Sequence, residues 1–136
     1  MYKKRGILDL FVKTKKRVLF VDDEEEVIDG ICNMLERNNF EVVATSDPHE
    51  VIQLCRKLKP DVILLDIIMP DIDGGTLAAM LREDRFTNKI PVIFLTGLVT
   101  KNEESQVPID TLQYKVIAKP CTREELLAAI REAVSH

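Results

Sequence analysis

An α/β domain, doubly wound around a five-stranded parallel sheet, is the fold class this sequence predicts. Three observations lead there. Short runs of branched apolar residues (Val18-Leu19-Phe20-Val21, Val62-Ile63-Leu64-Leu65, Val92-Ile93-Phe94-Leu95 and Val116-Ile117-Ala118) each stop at a polar residue. Strands buried on both faces of a sheet read this way. Segments with apolar residues at helical spacing lie between these runs, so strand and helix signals alternate as in βαβ units. Finally, 136 residues with 46% apolar content suit one domain with its own core.

Each element has a local reason. The first strand spans about residues 17–22. Residues 24–38 follow as a helix, with Val27, Ile28, Ile31, Met34 and Leu35 on one face, and Asn38-Asn39 ends it. Phe40 to Ser46 reads as a second strand. Asp47-Pro48 starts the next helix, because Asp caps and Pro suits the first helical position. Val51, Leu54, Cys55 and Leu58 form its apolar face, and Pro60 stops it before the third strand. After Asp66, the stretch IIMPDIDGG reads as a loop with Pro70, Asp71, Asp73, Gly74 and Gly75 as turn residues. Leu77, Met80 and Leu81 stripe the following helix. Gly97 to Tyr114 is poorly patterned and contains Pro108, so a short or irregular element is expected there. Thr122 and Glu125 form a capping box for a last helix striped by Leu126, Leu127, Ile130 and Val134. The result is (βα)5, for which the flavodoxin-like strand order 2-1-3-4-5 is the natural arrangement. That order sets strands one and three side by side.

Composition narrows the class. The net charge is −4, but residues 1–17 carry seven cations against Asp9, a surplus of +6, which leaves −10 on the remainder. We read residues 1–15 as a basic extension and 16–136 as the domain. Ile7, Leu8, Leu10, Phe11 and Val12 of the extension are expected to dock on the domain or on a partner. An acidic body repels phosphate backbones, so nucleic-acid binding by this domain is not expected. No apolar run approaches the ~18–20 residues of a membrane span, and the start lacks a secretory signal. Cys32, Cys55 and Cys121 have no metal-ligand spacing and read as reduced thiols of a cytoplasmic protein.

The polar residues at the strand ends carry the chemistry. In an open α/β sheet the site lies beyond the carboxyl ends of the strands. Asp22 and Asp23, Asp66, Thr96 and Lys119 all occupy such positions. Three carboxylates at one edge require a counter-charge, and Mg²⁺, which prefers hard oxygens and phosphate, supplies it. Glu24, Glu25 and Glu26 read instead as the acidic start of a helix, favoured by its dipole. Asp66 stands alone at the end of a central strand, where a carboxylate can attack a phosphoryl group and carry it as an acyl phosphate. Thr96 can donate to a phosphoryl oxygen, and Lys119 can neutralise another.

From about Lys16 onward the chain resembles the receiver domains of bacterial response regulators, the chemotaxis regulators in particular. The motifs are VLFVDD, VILLDIIMPDIDG, VIFLTG and VIAKP. The resemblance implies that a phosphohistidine, on a sensor histidine kinase or a histidine phosphotransfer protein, donates to Asp66. It also implies direct Mg²⁺ ligation by Asp23, Asp66 and the Ile68 backbone carbonyl, with Asp22 acting largely through water. Lys119 would hold Asp66 and then the phosphoryl group. The output would be a downstream effector protein, an output domain or a homodimer. No output domain follows residue 136, so we expect either a protein that acts alone or part of a longer one.

Four positions depart from the usual pattern. Val116, three before Lys119, stands where an aromatic is usual. Ile68 and Leu98 are apolar where polar residues are common, and Cys121 replaces a frequent Phe. Ile68 and Leu98 predict a shielded, long-lived phosphoryl group. Val116 predicts signalling without an aromatic rotamer flip, through the backbone of residues 97–114. Two other readings are a phosphate-independent docking module of the same fold and a Mg²⁺-dependent phosphatase. The intact acid, Thr and Lys set argues against the first, and the absence of a second acid two residues after Asp66 against the second.

Overall fold

A computed structural model of the chain describes residues 15–67, 72, 74–96, 115–118 and 121–135, with Thr96 described by its backbone alone. The elements are β1 (Lys16–Val21), α1 (Glu25–Arg37), β2 (Phe40–Thr45), a 3-10 turn (Pro48–Glu50), α2 (Val51–Leu58), β3 (Val62–Asp66), α3 (Gly74–Glu83), β4 (Val92–Thr96), β5 (Lys115–Ala118) and α4 (Arg123–Val134). The strands form one parallel sheet in the order β2-β1-β3-β4-β5. This is the order expected from sequence.

Side chains alternate across a strand, and the core follows that alternation. Val18, Phe20, Val62, Leu64, Ile93, Leu95 and Ile117 face one way and pack with Leu35 of α1 and Leu126, Leu127 and Ile130 of α4. Leu19, Val21, Ile63, Leu65 and Phe94 face the other way, against Val51 and Cys55 of α2 and Leu77, Ala78 and Leu81 of α3. The sheet therefore separates two cores. Every residue of β3 is buried. Burying a side chain of this size contributes roughly 1.5–3 kcal/mol, so the central strand is the most firmly held.

The helix boundaries carry the differences from the sequence reading. Asp47 does cap: its Oδ1 accepts the His49 N–H at 2.9 Å. The segment it opens is a 3-10 turn that tightens into α2, rather than one continuous helix. Asn39 takes a left-handed backbone (φ 70) after α1, as a chain-terminating Asn can. Lys59 does the same (φ 50) after α2, ahead of Pro60. The Thr122 hydroxyl accepts the Glu125 N–H at 3.0 Å. It also donates to the Glu125 carboxylate at 3.1 Å, where a full capping box would have that carboxylate reach the cap's backbone. Gly74 opens α3 instead of turning the loop before it. Residues 97–114, expected to be irregular, lie outside the described residues, as does the 1–14 part of the basic extension.

Candidate functional site

The register of the sheet builds the site. Val21 of β1 pairs with Leu65 of β3. One step further along both strands brings Asp22 level with Asp66. Oxygens of Asp22, Asp23 and Asp66 all lie within 4.8 Å of one another. Asp22 is fully buried and Asp66 is 6% exposed, while Asp23 faces solvent. Strands of the two-sided sheet thus deliver two acids into the interior rim and one to its mouth.

Backbone contacts hold these acids in place. The Asp22 N–H donates to the Thr45 carbonyl at 3.2 Å, and the Asp22 carboxylate accepts the Glu24 N–H at 3.0 Å. Thr45 is itself buried, and its hydroxyl donates to Glu50 at 2.6 Å and accepts the Asp47 N–H at 3.0 Å. The end of β2 is therefore tied to the 3-10 turn that leads into α2, while its carbonyl positions Asp22. Thr45 has no sequence signal of this role, because it ends an ordinary strand and carries no charge. On the other side, Ile67 N–H donates to Leu95 of β4 at 3.3 Å. The Gly74 N–H donates to the Ile67 carbonyl at 2.6 Å, so the start of α3 closes directly onto the end of β3.

Gly74 is necessary for this closure. A Cβ there would lie 2.6 Å from the Asp66 carbonyl oxygen and 2.7 Å from Ile67 Cα. The pair of glycines that reads as a turn in sequence is, at its first member, a point of close approach between a helix and the strand bearing Asp66.

Three like charges at such spacing repel by roughly 1–4 kcal/mol per pair at a surface-like dielectric. A divalent cation relieves that repulsion. Opposite ligands of Mg²⁺ stand about 4.2 Å apart, twice its usual bond length. Carboxylate oxygens spread over at most 4.8 Å fit one such ion, with water making up the remaining reach. Glu24, Glu25 and Glu26 are exposed, and the last two lie in the first turn of α1, as expected for a dipole-favoured helix start.

Thr96 ends β4, and its register partner on β5 is Ala118. Lys119 is the next residue after Ala118, but it lies outside the described residues, as do Ile68 and Leu98. Val116 pairs with Phe94 and packs half-buried against the α2–α3 core. Cys121 is half-buried against the opposite core. Burial, with the Asp84 charge behind it, pushes the Cys55 thiol up to about 12. Burial and then Glu36 and Asp29 push Cys32 up as well. Both are packing residues.

Comparison with known proteins agrees with this geometry. The family model described as response regulator receiver domain matches residues 18–131. PilH of Pseudomonas aeruginosa is 32% identical over 121 residues, which cover 88% of this chain and 98% of PilH. The DNA-binding dual master transcriptional regulator RpaA of Synechocystis sp. is 34% identical over 115 residues, 85% of this chain but 47% of RpaA, so the chain spans about half the length of that relative. Among solved structures, the BeF3-activated N-terminal receiver domain of Klebsiella pneumoniae RstA superposes with a TM-score of 0.76 at 27% identity, covering 89% of this chain and all of that one. From Val18 to Arg131 the chain belongs to the response regulator receiver domain family, and with its acidic pocket it is a phosphoacceptor of two-component signalling rather than an enzyme in the usual sense.

Proposed function

We propose that Asp66 is the phosphoacceptor and that Mg²⁺ is its obligatory partner. The observation that carries this reading is the meeting of Asp22, Asp23 and Asp66 within 4.8 Å at the ends of β1 and β3. Asp66 alone among them belongs to a strand that is buried throughout, which fixes its carboxylate for in-line attack. An Asp66 oxygen forms a bond to phosphorus as the bond from phosphorus to the donor imidazole nitrogen breaks, and the imidazole leaves carrying a proton. Asp23 and Asp66 would hold the cation directly, together with the Ile68 carbonyl, and Asp22 would act on it largely through water. A Mg²⁺ ion held there would supply positive charge against the transferring phosphoryl oxygens. Thr96 donates to one of these oxygens, and Lys119 neutralises another. The domain comprises residues 16–136, with 1–15 as a basic extension.

The donor in this reading is a phosphohistidine on a sensor kinase or a histidine phosphotransfer protein in the cytoplasm. The recipient of the signal is an effector protein, an output domain or a second copy of the chain. No helix among the described residues is long and apolar enough to cross a membrane. The test is incubation with a small acyl phosphate and Mg²⁺, followed by intact mass measurement. A gain of roughly 80 Da, the mass of one phosphoryl group, is expected for the parent chain. It should be absent in Asp66→Ala and in excess EDTA. An adduct that survives either condition refutes the assignment.

A further inference from the structure

The most buried acid of the cluster is held from the edge of the sheet. Asp22 follows β1, and its N–H donates to the Thr45 carbonyl at 3.2 Å. Thr45 is the last residue of β2, where it pairs with Val21. This bond is therefore the last rung between β1 and β2. Among the described residues β2 is the outermost strand on its side of the sheet, with β1 as its one neighbour. Strand ends with support on one side only are the first to open. The placement of Asp22 depends on such an end.

A side-chain bond secures it. The Thr45 hydroxyl donates to the Glu50 carboxylate at 2.6 Å and accepts the Asp47 N–H at 3.0 Å. The residue that caps the 3-10 turn and the residue that ends it thus meet at one hydroxyl. Glu50 has another use open to it. It stands at the N-cap of α2, where an acid can accept from the first free N–H groups of the helix. Its side chain makes no such bond. The carboxylate turns back to β2 instead. Thr45 is buried and Glu50 is exposed, so a solvent-facing acid reaches in to hold a strand end.

We propose that Glu50 is a positioning residue for the cation site, acting through the Thr45 hydroxyl on the rung that carries Asp22. The inference rests on the reading of Asp22, Asp23 and Asp66 as a Mg²⁺ site, a cluster to which Glu50 does not belong. Without the Glu50 bond the end of β2 frays, and Asp22 loses its fixed place beside Asp23 and Asp66. A cation must then order that strand end as it binds. Partners that touch a metal ligand directly typically change affinity by about 10–100-fold. Glu50 acts one bond further out, so a smaller loss of roughly threefold to tenfold is expected. Removing a negative charge also weakens cation binding at a distance, and the two causes need separate variants.

The test combines Mg²⁺ titration calorimetry with amide hydrogen exchange read by NMR in EDTA, both on the full chain. Glu50→Ala should weaken Mg²⁺ binding roughly threefold to tenfold. With no metal present it should speed exchange of the Asp22 amide about tenfold. Glu50→Gln loses the charge but keeps an acceptor, so at high salt both quantities should stay within about twofold of the parent. Thr45→Val should reproduce Glu50→Ala, and Thr45→Ser should restore the parent values. Equal weakening in Glu50→Gln and Glu50→Ala assigns the effect to charge alone and overturns the proposal. So does an equal acceleration at Ile67, whose amide bonds to Leu95 on the other side of the site, because it marks general loosening. Unchanged Asp22 exchange in both Glu50→Ala and Thr45→Val overturns it as well. A parent chain that binds no Mg²⁺ overturns the reading of the acid cluster and this inference with it. Equal binding by parent and variants overturns this inference alone.

Discussion

Two residues show how far function rests on atoms that carry no charge. Gly74 lets the start of α3 touch the backbone of Asp66 and Ile67. Gly74→Ala must push that backbone away, at an expected cost of about 1–3 kcal/mol. Because the displaced strand end carries Asp66, the rate of phosphorylation should fall further, even at a temperature where the variant is fully folded. Gly30→Ala is the control: its Cβ meets nothing within 4 Å, so it should stabilise α1 by roughly 0.5–1 kcal/mol. Denaturant melts and phosphorylation rates of both variants check this. Cys55 makes a different prediction. Its thiol is held up to about 12 in the folded chain, against an ordinary value of 9.0. The folded state therefore keeps a proton that the unfolded state loses. Stability from this source is complete below pH 9 and is lost as pH rises towards 12. Urea midpoints measured between pH 8 and pH 10.5 should fall more steeply for the parent chain than for Cys55→Ala.

At the level of elements, the strands were the most legible part of the sequence. Val62-Ile63-Leu64-Leu65 is apolar on both faces and short, which leaves little room for another interpretation. Helix ends were legible where the signal is local. Thr122 caps α4 through the Glu125 N–H, and Thr122→Ala should cost about 1 kcal/mol, measurable by thermal or chemical unfolding. Where tertiary contact sets the boundary, the sequence was misleading. Gly74 reads as a turn by composition, yet its place at the head of α3 follows from its contact with β3. The switch from 3-10 to α geometry at Val51 is likewise tied to Thr45, which bonds to both Asp47 and Glu50. Asp22, Asp23 and Asp66 could be named as a cluster from sequence because parallel strands one and three must end together. The carbonyl of Thr45 that fixes Asp22 could not, since a backbone group has no sequence signature.

For the whole molecule, strand order was legible and its energetic consequence was not. The site exists only when β1 and β3 are paired, and that pairing joins Val18 to Val62 across the intervening helices and strand. Such non-local contacts close late and slowly. Until then Asp22 and Asp66 belong to separate stretches of chain and do not repel each other. Their approach to within 4.8 Å is thus an event of the final assembly, and a cation that needs all of them can bind only afterwards. Contacts absent from the folding transition state act on the rate of escape from the native state. Mg²⁺ at ten times its dissociation constant adds about 1.4 kcal/mol of stability by mass action. In stopped-flow experiments nearly all of that should appear as a roughly tenfold slower unfolding rate, with refolding almost unchanged. Asp66→Ala should abolish most of the difference. A refolding rate that accelerates with Mg²⁺ would instead place the meeting of the acids early on the pathway. The crowded carboxylates, described above as a binding site, would on this account also govern how long a folded molecule lasts between rounds of unfolding.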